Sequence, residues 1–377
     1  MSRTPGRMAI PTQPTSYAWE VTNEALAERY GVPVERIARF DTNTSPAPPE
    51  AVDRIIAAGD FDLPVSEYPP GDYGRLVRAA AARYGVATDE VLVGAGADEI
   101  LDLIARAFLP PGGTAIVPIP TYPMFAIITE QRPATAIRVP RLGAEHGFGI
   151  DAALVRTAAR DADLIWLCSP NNPTGLAEPP GLIDDLLESM AADAARDDRP
   201  APVVVIDEAY AEFAGRTNLD LRSAYDRIVI VRTMSKAYAI AGLRVGFALA
   251  LPQIIAAIAP YRPPGSVTVP SSAIAARLLE DPDVVPASVA HIEAERARLS
   301  AGLSAAGWVV LPSTTNFVLV EFGSREQSAE VAEALLWRGI VSRTFGSDHP
   351  LSHCLRFTVR NVEQDDRLIA AARDIGR

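Results

Sequence analysis

One lysine stands in a chain that otherwise uses arginine for its basic side chains. The sequence has 377 residues with 35 lysines and arginines together, and Lys236 is the only lysine. A guanidinium group stays protonated and is a poor nucleophile, whereas an ε-amine can lose its proton and condense with a carbonyl group. A single lysine can also stand in a chain by chance, so its neighbours decide between the two interpretations.

Lys236 lies in the third of three polar segments that each follow an apolar, strand-like run. The segments are Ser169–Gly175, Asp207–Tyr210 and Thr233–Tyr238, and Arg244 follows the lysine by eight residues. Taken singly, the first is typical of a turn and the second of a carboxylate at a strand terminus. Because open α/β sheets bind ligands at the carboxyl ends of their strands, the three segments together predict one site.

The elements that must hold these segments alternate between strand-like and helical patterns, which predicts an α/β fold. Two of the strand-like runs, Asp163–Cys168 and Pro202–Ile206, are continuously apolar, as expected for strands buried on both faces. The other predicted strands of this series are Val91–Gly94, Thr114–Pro118, Thr135–Val139, Arg227–Arg232 and Arg244–Ala250. We predict helices over Asp98–Phe108 and after Tyr122.

From Pro252 onward the pattern changes to proline-bearing loops and longer helical stretches. Helices are predicted at Ser271–Leu279, Pro286–Ala305 and Gln327–Trp337 and at the C-terminus, with strands at Trp308–Leu311, Phe317–Glu321 and near Cys354–Val359. We therefore expect an N-terminal segment (1–44), a large domain (45–265) and a smaller C-terminal α/β domain (266–377). The N-terminal segment is expected to pack on the small domain or on a partner.

Composition excludes several classes of function. A net charge of −12 argues against a nucleic-acid partner, which needs a basic face. Two cysteines and four scattered histidines predict neither a disulfide framework nor a metal site. The apolar runs are too short to span a membrane, and the first twenty residues lack a secretion signal, so we expect a cytoplasmic protein.

Together the three segments resemble the class I/II aminotransferases of the pyridoxal-phosphate (PLP) dependent fold type I. The similarity runs from about Asp41 to the C-terminal helix. It is greatest to the histidinol-phosphate aminotransferase branch, through Gly94–Glu99, Pro120–Tyr122 and Ser235–Ala237. The resemblance implies a large domain with a mostly parallel central sheet and helices on both faces. It also implies PLP as cofactor, an amino donor and a 2-oxo acid as substrates, and a homodimer with a shared active site.

The resemblance assigns roles around the cofactor ring. Lys236 would hold PLP as a Schiff base and then move the proton at the substrate Cα. Asp207 would pair with the pyridine nitrogen and keep it protonated. Tyr210 and Asn172 would hydrogen-bond the phenolic oxygen, and Tyr122 would stack on the ring.

The phosphate group of the cofactor needs amides at a helix start, hydroxyls and a cation. By the same resemblance, Ala97 and Asp98 would supply the amides, Thr233 and Ser235 the hydroxyls, and Arg244 the charge. A plain strand-to-helix turn capped by Asp98 would look the same in sequence, and both interpretations can hold together.

Further residues match family positions at the subunit boundary and the substrate. Tyr68 matches the tyrosine that reaches the neighbouring subunit's PLP phosphate; a buried core tyrosine is the alternative. Arg356 matches the arginine that binds the substrate's acidic group. Arg343, thirteen residues earlier, matches a residue that makes a second contact to an anion. Asn43 and Tyr17 correspond to further substrate-side positions.

Some residues depart from the branch. Asn43-Thr44-Ser45-Pro46 lacks an acidic residue usual there, and Arg360 stands where a glycine is usual. Glu28–Pro33 resembles the start of threonine-phosphate decarboxylases, a sister branch. We expect a ping-pong aminotransferase acting on histidinol phosphate and 2-oxoglutarate. The alternatives are a threonine-phosphate-type decarboxylase, an aminotransferase for aromatic or other amino acids, and a regulator without activity.

Overall fold

The computed structural model describes Ser16 and residues 20–376 of the chain. Within them the α-helices are α1 (Asn23–Tyr30), α2 (Glu50–Ala58), α3 (Gly74–Tyr84), α4 (Gly96–Phe108), α5 (Met124–Gln131), α6 (Ala152–Ala158), α7 (Leu182–Arg196), α8 (Ala211–Ala214), α9 (Pro252–Ile258), α10 (Val269–Glu280), α11 (Val284–Ala305), α12 (Arg325–Leu336) and α13 (Val362–Ile375). The strands are β1 (Ala38–Arg39), β2 (Val91–Gly94), β3 (Thr114–Ile119), β4 (Thr135–Pro140), β5 (Leu164–Cys168), β6 (Val203–Asp207), β7 (Ile228–Thr233), β8 (Gly246–Leu249), β9 (Val309–Val310), β10 (Phe317–Glu321), β11 (Ile340–Val341) and β12 (Cys354–Thr358).

A seven-stranded sheet in the order β2-β8-β7-β6-β5-β3-β4 forms the centre of the molecule. Strands β4, β3, β5, β6 and β7 run parallel, and β8 pairs antiparallel with both β7 and β2. All residues of β5 and β6 are buried, which explains why both strands are apolar up to Asp207, the last residue of β6. The predicted α/β fold with a mostly parallel sheet is confirmed.

Helices cover both faces of this sheet because side chains alternate along each strand. On one face Trp166 packs in a core with α4, α5 and α9. On the other face Ile165 and Leu167 pack in a core that includes α3, α7 and α10. The two cores fix the strands in register, and this rigid frame carries the loops at the strand ends.

Register brings the polar segments to one edge of the sheet. Cys168 and Asp207 are partners at the ends of β5 and β6, and Thr233 at the end of β7 is the partner of Gly246. Because β8 is antiparallel, its first residue also meets Gly94 at the end of β2. The predicted strand Arg244–Ala250 was therefore too long at its start: Arg244 has φ 52°, a left-handed conformation that leaves the strand.

Two smaller sheets complete the structure. Strands β12, β10 and β9 form an antiparallel sheet, and helices α11, α12 and α13 contact its strands or one another. β1 of the N-terminal segment pairs in parallel with β11, so that Ala38 is the partner of Ile340. The domain boundaries at 44/45 and 265/266 stay a prediction. None of the helices in the part of the chain described is both long and apolar enough to cross a membrane.

Candidate active site

A cavity of about 400 Å³ opens where the carboxyl ends of the central strands meet the segments 41–44 and 343–349. Its walls contain all but two of the residues predicted for the site. These are Asn43, Ala97, Asp98, Tyr122, Asn172, Asp207, Tyr210, Thr233, Ser235, Lys236, Arg244, Arg343 and Arg356. Of the other two, Tyr17 falls outside the described residues. Tyr68 does not line this cavity and is 91% exposed, so the alternative of a buried core tyrosine is wrong.

Lys236 projects into this cavity from the loop that follows β7. Its Nζ donates a hydrogen bond to the carbonyl oxygen of Asn43 at 3.1 Å. Burial, reinforced by the positive charges of Arg356 and Arg244, lowers the pKa of Lys236 to about 8. An amine with this pKa is partly deprotonated near neutral pH, which condensation with a carbonyl group requires.

Asp207 is the last residue of β6 and lies in the floor of the cavity. Its side chain is buried and accepts a hydrogen bond from the backbone N–H of Ala209 at 3.0 Å. Within residues 20–376 no ion pair neutralises it. Burial therefore raises the pKa of Asp207 to about 7, and the negative charge of Asp98 adds to the effect. A carboxylate in this setting favours a cationic partner in the cavity.

Tyr210 and Asn43 connect the sheet edge to the segment before α2. The Tyr210 hydroxyl accepts a hydrogen bond from Asn43 Nδ2 at 2.9 Å, and its ring centroid lies 5.8 Å from Lys236 Nζ. Burial raises the pKa of Tyr210 well above its usual range. The Thr358 hydroxyl accepts from the backbone N–H of Asn43 at 2.9 Å and fixes this segment to β12.

Arg356 lies on β12, opposite the sheet edge. Its Nη1 donates to Asn172 Oδ1 and its Nη2 to the carbonyl oxygen of Asp41, both at 2.6 Å. The guanidinium carbon lies 5.3 Å from the ring centroid of Phe317. These contacts hold a buried cation in one orientation within the cavity.

Arg343 enters the same cavity next to Arg356. The two residues form an isolated antiparallel bridge in which each backbone N–H donates to the other's carbonyl oxygen at 3.0 Å. Arg343 Nη1 forms an ion pair with Glu20 Oε1 at 3.1 Å. The spacing of thirteen residues in the sequence thus becomes direct adjacency in the structure.

The start of α4 is shaped as a cradle. The first N–H groups of a helix have no acceptor within the helix, and they include those of Ala97 and Asp98. A Cβ added at Gly246 would lie 2.7 Å from Ala97 N, and one added at Gly96 would lie 2.6 Å from Arg244 Nη2. Glycine at both positions lets β8 and Arg244 approach the helix start closely.

Polar side chains surround this cradle. Arg244 Nη2 donates to one oxygen of the Asp98 carboxylate at 3.0 Å, and the Tyr122 hydroxyl donates to the other at 2.9 Å. The Thr233 hydroxyl donates to Ser235 Oγ at 3.0 Å. Amide, hydroxyl and guanidinium donors around a helix N-terminus are the groups that bind phosphate.

Several residues that line the cavity or lie beside it had no role predicted from the sequence. Glu208, next to Asp207, is fully buried and accepts hydrogen bonds from Thr217 and Asn218 at 2.7 and 2.9 Å. It also pairs with Arg232 Nη2 at 3.0 Å. The sequence signal that could have predicted this pair was an acidic residue directly after β6 and an arginine at the end of β7. His349 and Glu20, which line the cavity, gave none.

Comparison with known proteins identifies the family. The profile of the family described as aminotransferase class I and II matches residues 37–372. A histidinol-phosphate aminotransferase from Roseiflexus castenholzii is 37% identical over 362 residues, which cover 93% of each chain. One from Xylella fastidiosa is 36% identical over 327 residues, 84% of this chain and 86% of the other. The chain belongs to the class I and II aminotransferases.

Solved structures agree with this aminotransferase assignment. Histidinol-phosphate aminotransferase from Sinorhizobium meliloti, in complex with pyridoxal-5′-phosphate, matches with a TM-score of 0.84 and 26% identity over 96% of this chain and 95% of that chain. L-threonine-O-3-phosphate decarboxylase from Porphyromonas gingivalis has a TM-score of 0.72 at 22% identity, over 89% of this chain and 98% of that chain. The second likeness shows the fold alone.

This aminotransferase uses PLP, and the cavity fits that group. Asp207 offers a buried carboxylate with no ion-pair partner within residues 20–376, and the start of α4 offers the amides of Ala97 and Asp98 next to Arg244. Lys236, with its lowered pKa, lines the cavity as well. The carboxylate, the amides with Arg244, and the amine therefore suit a pyridine nitrogen, a phosphate and an aldehyde, respectively, within one cavity.

Proposed function

We propose that this aminotransferase takes its amino group from histidinol phosphate and passes it to 2-oxoglutarate in a ping-pong reaction. The observation that carries the proposal is the bridge between Arg343 and Arg356 in one wall of the cavity that contains Lys236. Two arginine side chains that line one cavity suit an enzyme whose two substrates each bring an anion to it. Relatives at 37% and 36% identity that are named histidinol-phosphate aminotransferases support the donor.

The chain's own residues would hold the cofactor at its three polar ends. Asp207 would hold the proton on the pyridine nitrogen, and Tyr210 and Asn172 would bind the phenolic oxygen. The amides of Ala97 and Asp98, the hydroxyls of Thr233 and Ser235, and Arg244 would bind the phosphate, with Tyr122 against the ring. When bound, PLP supplies an electron sink for the carbanion that forms at the substrate Cα.

Lys236 would attach the cofactor and then act as the general base and acid at the substrate Cα. Its pKa of about 8 lets the free amine accept a proton at neutral pH and return it afterwards. Asn43, through the carbonyl oxygen that accepts from Nζ, holds the amine in position when it is not attached. Arg356 and Arg343 would orient the donor so that its Cα–H bond faces this amine.

The competing reaction is decarboxylation of a phosphorylated amino acid. Both reactions need the same cofactor residues, and the bond that breaks depends on where the substrate's anions are bound. The likeness to the Porphyromonas decarboxylase shows only the fold, which many specificities share. Aromatic or other amino acids remain alternative donors within transamination.

The test is a pair of incubations with the purified holoenzyme. We expect glutamate to form from histidinol phosphate with 2-oxoglutarate, and no carbon dioxide from threonine phosphate alone. The opposite pair of results would overturn the proposal in favour of the decarboxylase. A panel of other donors is tested by the change in the cofactor's visible absorbance. If only a different donor reacts, the choice of donor is overturned and the family assignment stands.

We also propose a homodimer whose active sites are shared. Tyr68 is an exposed aromatic residue outside its own chain's cavity, as a residue that serves the neighbouring site would be. Exposed large apolar side chains close by in the sequence, Leu63 and Val65, support an interface here.

A further inference from the structure

The mouth of the cavity contains an ionic contact that the catalytic residues do not need. Glu20, from the N-terminal segment, pairs with Arg343 at 3.1 Å, and both side chains line the cavity. In the proposed function Arg343 binds an anion of the substrate. A carboxylate of the protein therefore already lies at the place where that anion must bind.

A second group at the mouth is His349, on the loop between Arg343 and β12. The backbone N–H of Leu351 donates to His349 Nδ1 at 3.1 Å. Because Nδ1 is an acceptor, the proton of the neutral ring is on Nε2. The ring stacks on Phe345, with centroids 4.9 Å apart and an interplanar angle of 18°. This contact and the hydrogen bond from Leu351 fix the ring of this cavity-lining residue, and its Nε2 carries the N–H donor.

The charge state of His349 agrees with that tautomer. Burial and the neighbouring charge of Arg343 both lower the pKa of the imidazole below its usual range. At neutral pH the ring is therefore mainly uncharged and contributes a hydrogen bond rather than a full charge. An oxyanion at the mouth would meet a guanidinium group and one oriented N–H group.

We infer that Glu20 and His349 set, in opposite directions, how tightly the site binds the anionic end of the amino donor. Arg343 and His349 Nε2–H bind an oxyanion of the donor, and Glu20 occupies Arg343 until that oxyanion displaces it. A donor without a distal anion leaves the pair between Glu20 and Arg343 intact, so removing Glu20 should affect its binding less. The inference rests on the proposed function for the role of Arg343, but not on histidinol phosphate itself.

The first test uses inorganic phosphate as the probe and calorimetric titration of the holoenzyme, in which the cofactor occupies its own phosphate site. We expect Glu20→Gln to tighten phosphate binding roughly two- to fivefold, the size that a partly exposed ion pair can contribute. We expect His349→Asn to weaken it about three- to tenfold through loss of one hydrogen bond to an anion.

A matched pair at position 349 separates binding from loop structure. Asparagine can place an oxygen near Nδ1 and keep the contact from Leu351, whereas glutamine can place an N–H near Nε2. If His349 binds the anion, His349→Gln retains more phosphate affinity than His349→Asn. The reverse order, with unchanged thermal unfolding of His349→Asn, would assign the histidine to loop structure and overturn the inference.

Steady-state kinetics with histidinol phosphate and histidinol provide the second test. Glu20→Gln is expected to lower the KM for histidinol phosphate while kcat changes less than twofold. The KM for histidinol should change less, because that donor has no anion that must displace Glu20, so the preference for the phosphorylated donor should rise. If histidinol phosphate is no substrate, the proposed function fails, and the phosphate titrations still decide this inference. Normal turnover with phosphate affinity unaltered in both Glu20→Gln and His349→Asn would overturn the inference alone.

Discussion

Arg360 Nη1 donates a hydrogen bond to the carbonyl oxygen of Thr44 at 2.9 Å, and its Nε donates to Gln364 Oε1 at the same distance. The guanidinium group thus connects α13 to the segment whose Asn43 carbonyl oxygen accepts from Lys236 Nζ. The resemblance to the histidinol-phosphate branch places a glycine at position 360. In this chain an arginine at that position holds the segment instead, through its hydrogen bond to Thr44.

The first prediction is that Arg360→Gly loosens this segment without removing a group that touches substrate. We expect the free energy of unfolding to fall by about 1–2 kcal/mol, the cost of losing hydrogen bonds to partly buried groups. kcat/KM should fall as well, because a looser segment holds the Asn43 carbonyl oxygen, and with it Lys236 Nζ, less firmly. Denaturant titration and steady-state kinetics measure the two effects. An unchanged kcat/KM together with reduced stability would limit Arg360 to a structural role.

The second prediction concerns Lys236, whose amine is the only one on any side chain. Borohydride reduction of the holoenzyme followed by peptide mapping should place all label on the peptide that contains this residue. Lys236→Arg keeps the positive charge but cannot attach the cofactor or transfer the proton, and should lose at least ~10²–10⁴-fold in turnover. Label at the N-terminal amine would refute the assignment.

The third prediction concerns the pH dependence that Asp207 gives to the cofactor-free protein. Burial raises its pKa from 3.8 to about 7. The folded state therefore binds a proton between about pH 4 and pH 7 that the unfolded chain releases, so stability falls as pH rises through this window. Complete ionisation costs on the order of 4 kcal/mol.

Asp207→Asn removes that carboxylate and serves as the comparison. Between pH 4 and pH 8 its cofactor-free form should lose less stability than the wild type, measured by urea unfolding at each pH. PLP should raise the melting temperature of the wild type more than that of Asp207→Asn, because only the carboxylate gains a cationic partner. Equal gains in both proteins would argue against the proposed contact with the pyridine nitrogen.

The fourth prediction concerns the buried pair between Glu208 and Arg232, whose side chains are 0% and 7% exposed. The pair connects the end of β6 to the end of β7, next to Asp207 and Thr233. Glu208→Ala should cost about 1–3 kcal/mol of stability, because the buried guanidinium group of Arg232 keeps only its second pair, with Glu212 at 3.0 Å. Cofactor affinity should fall as well, since both neighbouring residues would lose their fixed positions.

An exposed pair provides the control for this measurement. Arg325 and Glu326 lie 3.2 Å apart with side chains 55% and 67% exposed. Arg325→Ala should change the free energy of unfolding by less than about 1 kcal/mol and leave cofactor affinity unchanged. Similar effects of the two substitutions would contradict the assigned role of the buried pair.

The parts that the sequence predicted are those set by local patterns. Apolar runs located the strands, and the carboxyl ends of β5, β6 and β7 brought Asp207 and Lys236 to one cavity. Contacts between distant segments could not be predicted in this way. Glu20 and Arg343 are separated by 323 positions, and the tautomer of His349 depends on one loop hydrogen bond. Arg244 leaves its predicted strand because of backbone conformation, which an apolar pattern does not encode.

The last prediction concerns assembly at the exposed surface around Tyr68. Its side chain is 91% exposed, and Val65 is 70% exposed. A tyrosine and an aliphatic side chain left in solvent together favour a protein interface. We therefore expect a dimer in analytical ultracentrifugation, and we expect Val65→Arg to weaken it by placing a charge in an apolar contact.

Tyr68→Phe tests the shared site separately from the interface. The ring remains, so the dimer should persist, while loss of the hydroxyl should weaken PLP binding by about three- to tenfold. Equilibrium dialysis of the cofactor measures this loss, and sedimentation confirms the dimer. Tyr68 lies outside its own chain's cavity. Weaker PLP binding by an intact dimer would therefore indicate that the hydroxyl acts across the interface. A fully active monomer at assay concentration would rule out both the dimer and the shared site.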